Sequence, residues 1–165
     1  MTRPWVLIIM GSDSDAEVMS QAAAALDEFN IPYEFTVASA HRSPERAKQF
    51  VTDAEANGAA AVIAGAGMAA HLPGVVASLT TLPVIGVPLA SGALNGLDAL
   101  YAIVQMPPGM PVATVAIGGA RNAGILAAQI IATADRELAA RLKETRVKMA
   151  EQVAAKSKKV EKSTR

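Results

Sequence analysis

The 165-residue sequence contains no cysteine, which removes disulfides, thiolate zinc sites and a cysteine nucleophile from consideration. It has two histidines, His41 and His71, so a histidine-rich metal centre is not expected either. Charge of one sign is not in excess: 15 Lys and Arg stand against 15 Asp and Glu, a formal net charge of zero. That balance argues against nucleic acid or an anionic membrane surface as the principal partner. Aromatic residues are scarce, at 4%. Long hydrophobic runs are missing too. The N-terminal apolar stretch, Trp5–Met10, is far too short for a signal peptide or a membrane span, so a cytoplasmic protein is expected.

Aliphatic residues dominate what remains. The chain is 52% hydrophobic with a mean hydropathy of +0.29, high for a soluble monomer of this length. Either both faces of a sheet are covered, or apolar surface is buried between subunits, or both. The length suits one domain, read here as residues 1–155. The last ten residues, 156–165, carry five basic side chains and almost nothing apolar, and read as a disordered basic tail.

Continuous apolar runs at 5–10, 60–64, 83–87 and 112–116, with a β-branched and aromatic run at 33–38, predict five strands. Helical patterns lie between them, at about 16–30, 44–57, 75–80 and 96–105, with Gly58 suited to end the second. From Asn122 the chain is helical but changes character at Asp135, which either caps a new helix or lies within a continuous one. Strands alternating with helices predict an α/β, three-layer, flavodoxin-like fold: a doubly wound parallel five-stranded sheet with a C-terminal helical extension. The commonest order, 2-1-3-4-5, puts the switch point between strands one and three, where ligands bind outside the strand carboxyl ends.

Three chemically unusual loops converge there. Gly11-Ser12-Asp13-Ser14-Asp15 follows strand one. Ser39-Ala40-His41-Arg42 follows strand two and runs into a helix start at Ser43, Pro44 and Glu45. Gly65-Ala66-Gly67-Met68-Ala69-Ala70-His71 follows strand three. The last fits G-x-G-x-x-A, but no acid stands about 20 residues on, so a dinucleotide site is weakly supported. No phosphate-binding G-x-x-x-x-G-K-[ST] motif occurs. A phospho-acceptor receiver domain needs an Asp where Ala64 and Gly65 stand, and a flavin site needs aromatics these loops lack. What remains is Ser12, Asp15, Ser39, His41 and Arg42, with His71 beside them. Arg42 and the serines suit a phosphate, Asp15 suits ribose hydroxyls, and an unpaired histidine suits proton transfer near neutral pH. The residues point to acid–base chemistry on a ribonucleotide-sized phosphate ester.

Those loops, together with His71-Leu72-Pro73-Gly74 and Ile103-Val104-Gln105-Met106-Pro107, resemble the N5-carboxyaminoimidazole ribonucleotide mutases of purine biosynthesis. The likeness covers about residues 5–146, with four motifs in order. It implies moving a carboxylate from the exocyclic nitrogen of the substrate to C4 of the imidazole, with no metal and no cofactor, in a homo-octamer. It further implies that Ser12, Ser39 and Arg42 hold the 5′-phosphate, Asp15 the ribose, and that His41 is the general acid–base. Ala66, Gly67 and His71 would wall the base and the released carbon dioxide. Two other readings are a carbon dioxide-dependent aminoimidazole ribonucleotide carboxylase and a non-catalytic nucleotide-binding domain. Met68 stands where the family pattern leads one to expect glycine, and the loop Gly118–Asn122 is shorter than the common form.

Overall fold

The computed structural model describes residues 3–163. Five parallel strands form one sheet in the order β2-β1-β3-β4-β5, as the sequence pattern predicts. They are β1 (Trp5–Met10), β2 (Tyr33–Val37), β3 (Ala59–Gly67), β4 (Val84–Leu89) and β5 (Ala113–Thr114). The helices are α1 (Ala16–Glu28), α2 (Pro44–Ala56), α3 (Leu72–Leu79), α4 (Leu97–Val104), α5 (Ala120–Ala132) and α6 (Arg136–Ser163). Alternation along β1 splits the interior into two cores. Val6, Ile8 and Met10 face α1 and α5, where they meet Met19, Leu26 and Ala127. Leu7 and Ile9 face the other way, onto Val51 of α2, Val76 of α3 and Ile103 of α4. All five of these β1 side chains are fully buried, as a central strand with both faces covered requires.

The layer containing α1 and α5 is built from small residues. Ala22 and Ala25 of α1 pack on α5 at Gly124, where an added Cβ would lie 2.6 Å from the Ala22 carbonyl oxygen. Glycine there lets the two backbones approach closely. At the opposite edge, β2 is paired on one side only, and Phe35 and Val37 are partly exposed. The Arg46 Nε–H donates to the Val37 carbonyl at 3.0 Å, and its guanidinium stacks over the Phe50 ring.

The structure differs from expectation at several points. β5 has two residues rather than five: it follows a proline-rich turn at the sheet edge, and beyond it only single bonds such as Val115 N–H to the Gly86 carbonyl continue the pairing. α5 begins at Ala120, not Asn122. Of the two readings at Asp135 the structure has the break, with the Leu138 N–H donating to Asp135 Oδ1 at 3.0 Å to start α6. The segment expected to be a disordered tail is the end of α6 as far as Ser163; residues 164–165 lie outside the described residues. Lys and Glu, five of the eight residues from 156 to 163, are strong helix formers, so these residues extend the helix without any core to pack on.

Candidate active site

The loops after β1, β2 and β3 meet at the carboxyl end of the sheet around a cavity of about 280 Å³. The first is a tight polar knot. Ser12 Oγ donates to Asp13 Oδ1 at 3.1 Å, and Ser14 Oγ donates to Ser12 Oγ at 2.9 Å. These bonds turn the chain through a single 3-10 turn, Asp13–Asp15, into α1. Asp15 ends that turn half-buried, and burial holds its carboxyl above its ordinary pKa. A hydrogen bond from the Ser12 backbone offsets part of that rise, and the Asp13 charge adds to it.

In the second loop Ser43 stands at the helix N-cap, but its hydroxyl does not cap α2. It turns back to Ser39, accepting from the Ser39 N–H at 2.9 Å and donating to the Ser39 carbonyl at 3.2 Å. Ser39 Oγ in turn accepts from the Arg42 N–H at 3.2 Å. The closed turn presents His41 and Arg42 on the outside. Arg42 reaches across to donate from Nη2 to the Gly11 carbonyl at 3.4 Å, and no carboxylate among the described residues lies within ion-pair distance of it. A guanidinium with only a carbonyl partner, beside two serine hydroxyls, has donors left over for an anion.

The third loop brings His71 to His41. Nε2 of His41 lies 2.8 Å from Nδ1 of His71, with the rings edge to face at 4.8 Å. One proton lies between these nitrogens, and the bond orients the His41 ring over the cavity edge. His71, expected to wall the base, has its ring bonded to the His41 ring, across 30 residues of chain.

Ser12, Asp15, Ser39, His41, Arg42, Ala66 and Gly67 all line the cavity; His71 does not, standing outside its wall against His41. Sequence reasoning missed two polar liners. Ser14 lay inside a quoted motif without a role. Ser91, in the loop after β4, could have been found from the strand order, which sets that loop beside the one after β3. Met68 also lines the cavity, with a left-handed backbone at φ 51°, the conformation the expected glycine would adopt without strain.

This geometry coincides with a family match over residues 5–152, to AIR carboxylase. The chain belongs to the AIR carboxylase family. It is 56% identical over 158 residues to the N5-carboxyaminoimidazole ribonucleotide mutase of Thermotoga maritima, covering 96% of this chain and 92% of that one. It is 54% identical to the phosphoribosylaminoimidazole carboxylase of Schizosaccharomyces pombe, over 96% of this chain but 29% of that much longer one. The crystal structure of Treponema denticola PurE superposes with a TM-score of 0.87 at 31% identity, over 95% of this chain and 98% of that one. With such relatives the chain is an enzyme of the mutase, hence isomerase, type.

Proposed function

We propose that this enzyme converts N5-carboxyaminoimidazole ribonucleotide into 4-carboxy-5-aminoimidazole ribonucleotide, with His41 as general acid–base. The observation that carries the reading is the His41–His71 hydrogen bond at the cavity edge, beside an arginine with donors left over and the hydroxyls of Ser12 and Ser39. In this reading Ser12, Ser39 and Arg42 bind the 5′-phosphate. Asp15 accepts hydrogen bonds from ribose hydroxyls, which offset the cost of its partial burial. The Ala66–Gly67 backbone walls the base, and His71 positions the His41 ring.

The chemistry needs one residue that gives and then takes a proton. The carbamate C–N bond breaks, carbon dioxide leaves, and the electron pair left on nitrogen takes a proton from the His41 imidazolium. C4 of the aminoimidazole then attacks the held carbon dioxide, the C–C bond forms, and neutral His41 removes the C4 proton. The histidine ends as it began. Keeping water out while carbon dioxide is free prevents its loss, which favours a closed assembly. Leu94, Leu97, Tyr101 and Val104 form an apolar, exposed face on and beside α4, consistent with burial between subunits of the proposed cytoplasmic homo-octamer.

Turnover followed in the ultraviolet tests the reading. Consumption of N5-carboxyaminoimidazole ribonucleotide without added bicarbonate is expected. Product formed only from aminoimidazole ribonucleotide plus bicarbonate would assign the chain to the carboxylases. Nucleotide binding without turnover would make it a binding domain.

A further inference from the structure

We infer that Ser91 is a binding residue for the carboxylate that moves, an inference that rests on the reaction proposed above. The β3–β4 ladder ends at the pair Gly67 and Leu89. Beyond it the two loops stay in contact. The Met68 side chain packs over Gly92, its Cγ 3.7 Å from where a Cβ would sit, and a Cβ on Gly67 would fall on the Ser91 hydroxyl. Ser91 Oγ thus occupies the space that a side chain at 67 would fill, on the cavity wall. Gly67 is glycine because the neighbouring strand's loop delivers a hydroxyl there.

Among the described residues nothing hydrogen-bonds that hydroxyl, although Ser91 is half-buried. Ser12, Ser14 and Ser43 spend their hydroxyl protons within their own loops, on Asp13, Ser12 and Ser39, and Ser39 Oγ accepts from the Arg42 N–H. Ser91 also stands apart from the phosphate-binding group, on the loop after β4, two strands from β1 in the sheet order. Arg42, Asp15, Gly67 and Ser91 line one cavity, so a nucleotide with its phosphate at Arg42 and its ribose at Asp15 has the wall at Gly67 and Ser91 left for its base.

The choice of a hydroxyl fits the chemistry. A lysine or arginine there would hold the charged carbamate most tightly and oppose its cleavage to neutral carbon dioxide. A neutral O–H donor bonds the carboxylate oxygens, and its hold changes less as they become those of carbon dioxide. Ser91 gives up no proton in this role; it restrains the group between its departure from nitrogen and its arrival at C4.

Ser91→Ala should weaken binding of N5-carboxyaminoimidazole ribonucleotide about 10-fold, as for a lost hydrogen bond to a charged group. Binding of aminoimidazole ribonucleotide, which lacks the carboxylate, should change less than about twofold, since no partner is lost. Each turnover should also release more free aminoimidazole ribonucleotide. Ser91→Cys keeps the packing but donates weakly, and should follow the alanine variant. If both variants bind both nucleotides as the parent does, or lose both equally, Ser91 is a packing residue and the inference fails. A parent that binds both nucleotides but interconverts neither carboxylated form would overturn the proposed reaction and this inference with it.

Discussion

Gly124→Ala is a severe substitution in this fold, although helix propensity alone says the opposite. Replacing a mid-helix glycine by alanine favours a helix by about 1 kcal/mol. Here the new methyl would lie 2.6 Å from the Ala22 carbonyl oxygen, 2.9 Å from the Ala25 Cβ and 3.2 Å from the Ala22 Cα. Carbon atoms pack at about 3.5–4.0 Å, so α5 must retreat from α1 by more than half an ångström. Two of the three obstructing atoms are backbone and cannot rotate away. Overpacking of this kind costs about 1–3 kcal/mol, and more when backbone must move. Set against the gain in propensity, the net loss is about 0–2 kcal/mol, and more where the two helix backbones must move apart. For a chain of this size that lowers the melting temperature by roughly 2–4 °C per kcal/mol. Gly65→Ala is the natural comparison, because its Cβ would meet the thioether of Met19, which can swing aside. Calorimetric melts of both variants at one protein concentration check the reasoning. A Gly124→Ala protein that melts at or above the parent, or above Gly65→Ala, would refute it.

Arg42→Ala should weaken nucleotide binding by about 1.5–3 kcal/mol in titration calorimetry, the worth of a charged hydrogen bond; unchanged affinity would remove Arg42 from the phosphate site. His41→Asn should lower turnover at least about 10²-fold with nucleotide binding kept. His71→Asn should lose less, and mainly in turnover rather than affinity; equal losses would make the two rings equal partners. Asp15 has a raised pKa in the fold, so the native state holds its proton more tightly than the unfolded chain. Its contribution is most favourable in acid and declines as pH rises through the raised value, leaving a cost at neutral pH. Asp15→Asn should therefore melt higher than the parent at pH 7, lose that advantage in acid, and bind nucleotide less well; a lower melting temperature at pH 7 would contradict this.

The fold was legible because its signals are local. The buried run from Val6 to Met10, the turn at Gly58 and the cap at Asp135 each act within a few residues, and the parallel order follows from chirality. The convergence of Ser12, Ser39, His41, Arg42 and Gly67 followed from that order alone. What escaped depends on side chains choosing among partners. Ser43 had every mark of a capping residue, yet its hydroxyl turns back to Ser39. The bond between the His71 and His41 rings emerges only once the third loop has a path in space. Ser91 carries no motif; its position is set by the strand beside it. The helical run to Ser163 shows that an absence of apolar residues predicts exposure better than disorder.

The strand that delivers His41 has a neighbour on one side only. Half of the main-chain groups along Tyr33–Val37 face away from β1, with Arg46 occupying one of them at Val37. Strands so placed open at lower free energy than the centre of a sheet, and their amides exchange with solvent sooner. The loop that carries His41 is therefore anchored to the edge of the sheet, while the loops after β1 and β3 rest on strands paired on both sides. A nucleotide bridging Ser12, Arg42 and Gly67 would fasten the yielding edge to the rigid middle, so its arrival should slow exchange along β2 far more than along β1.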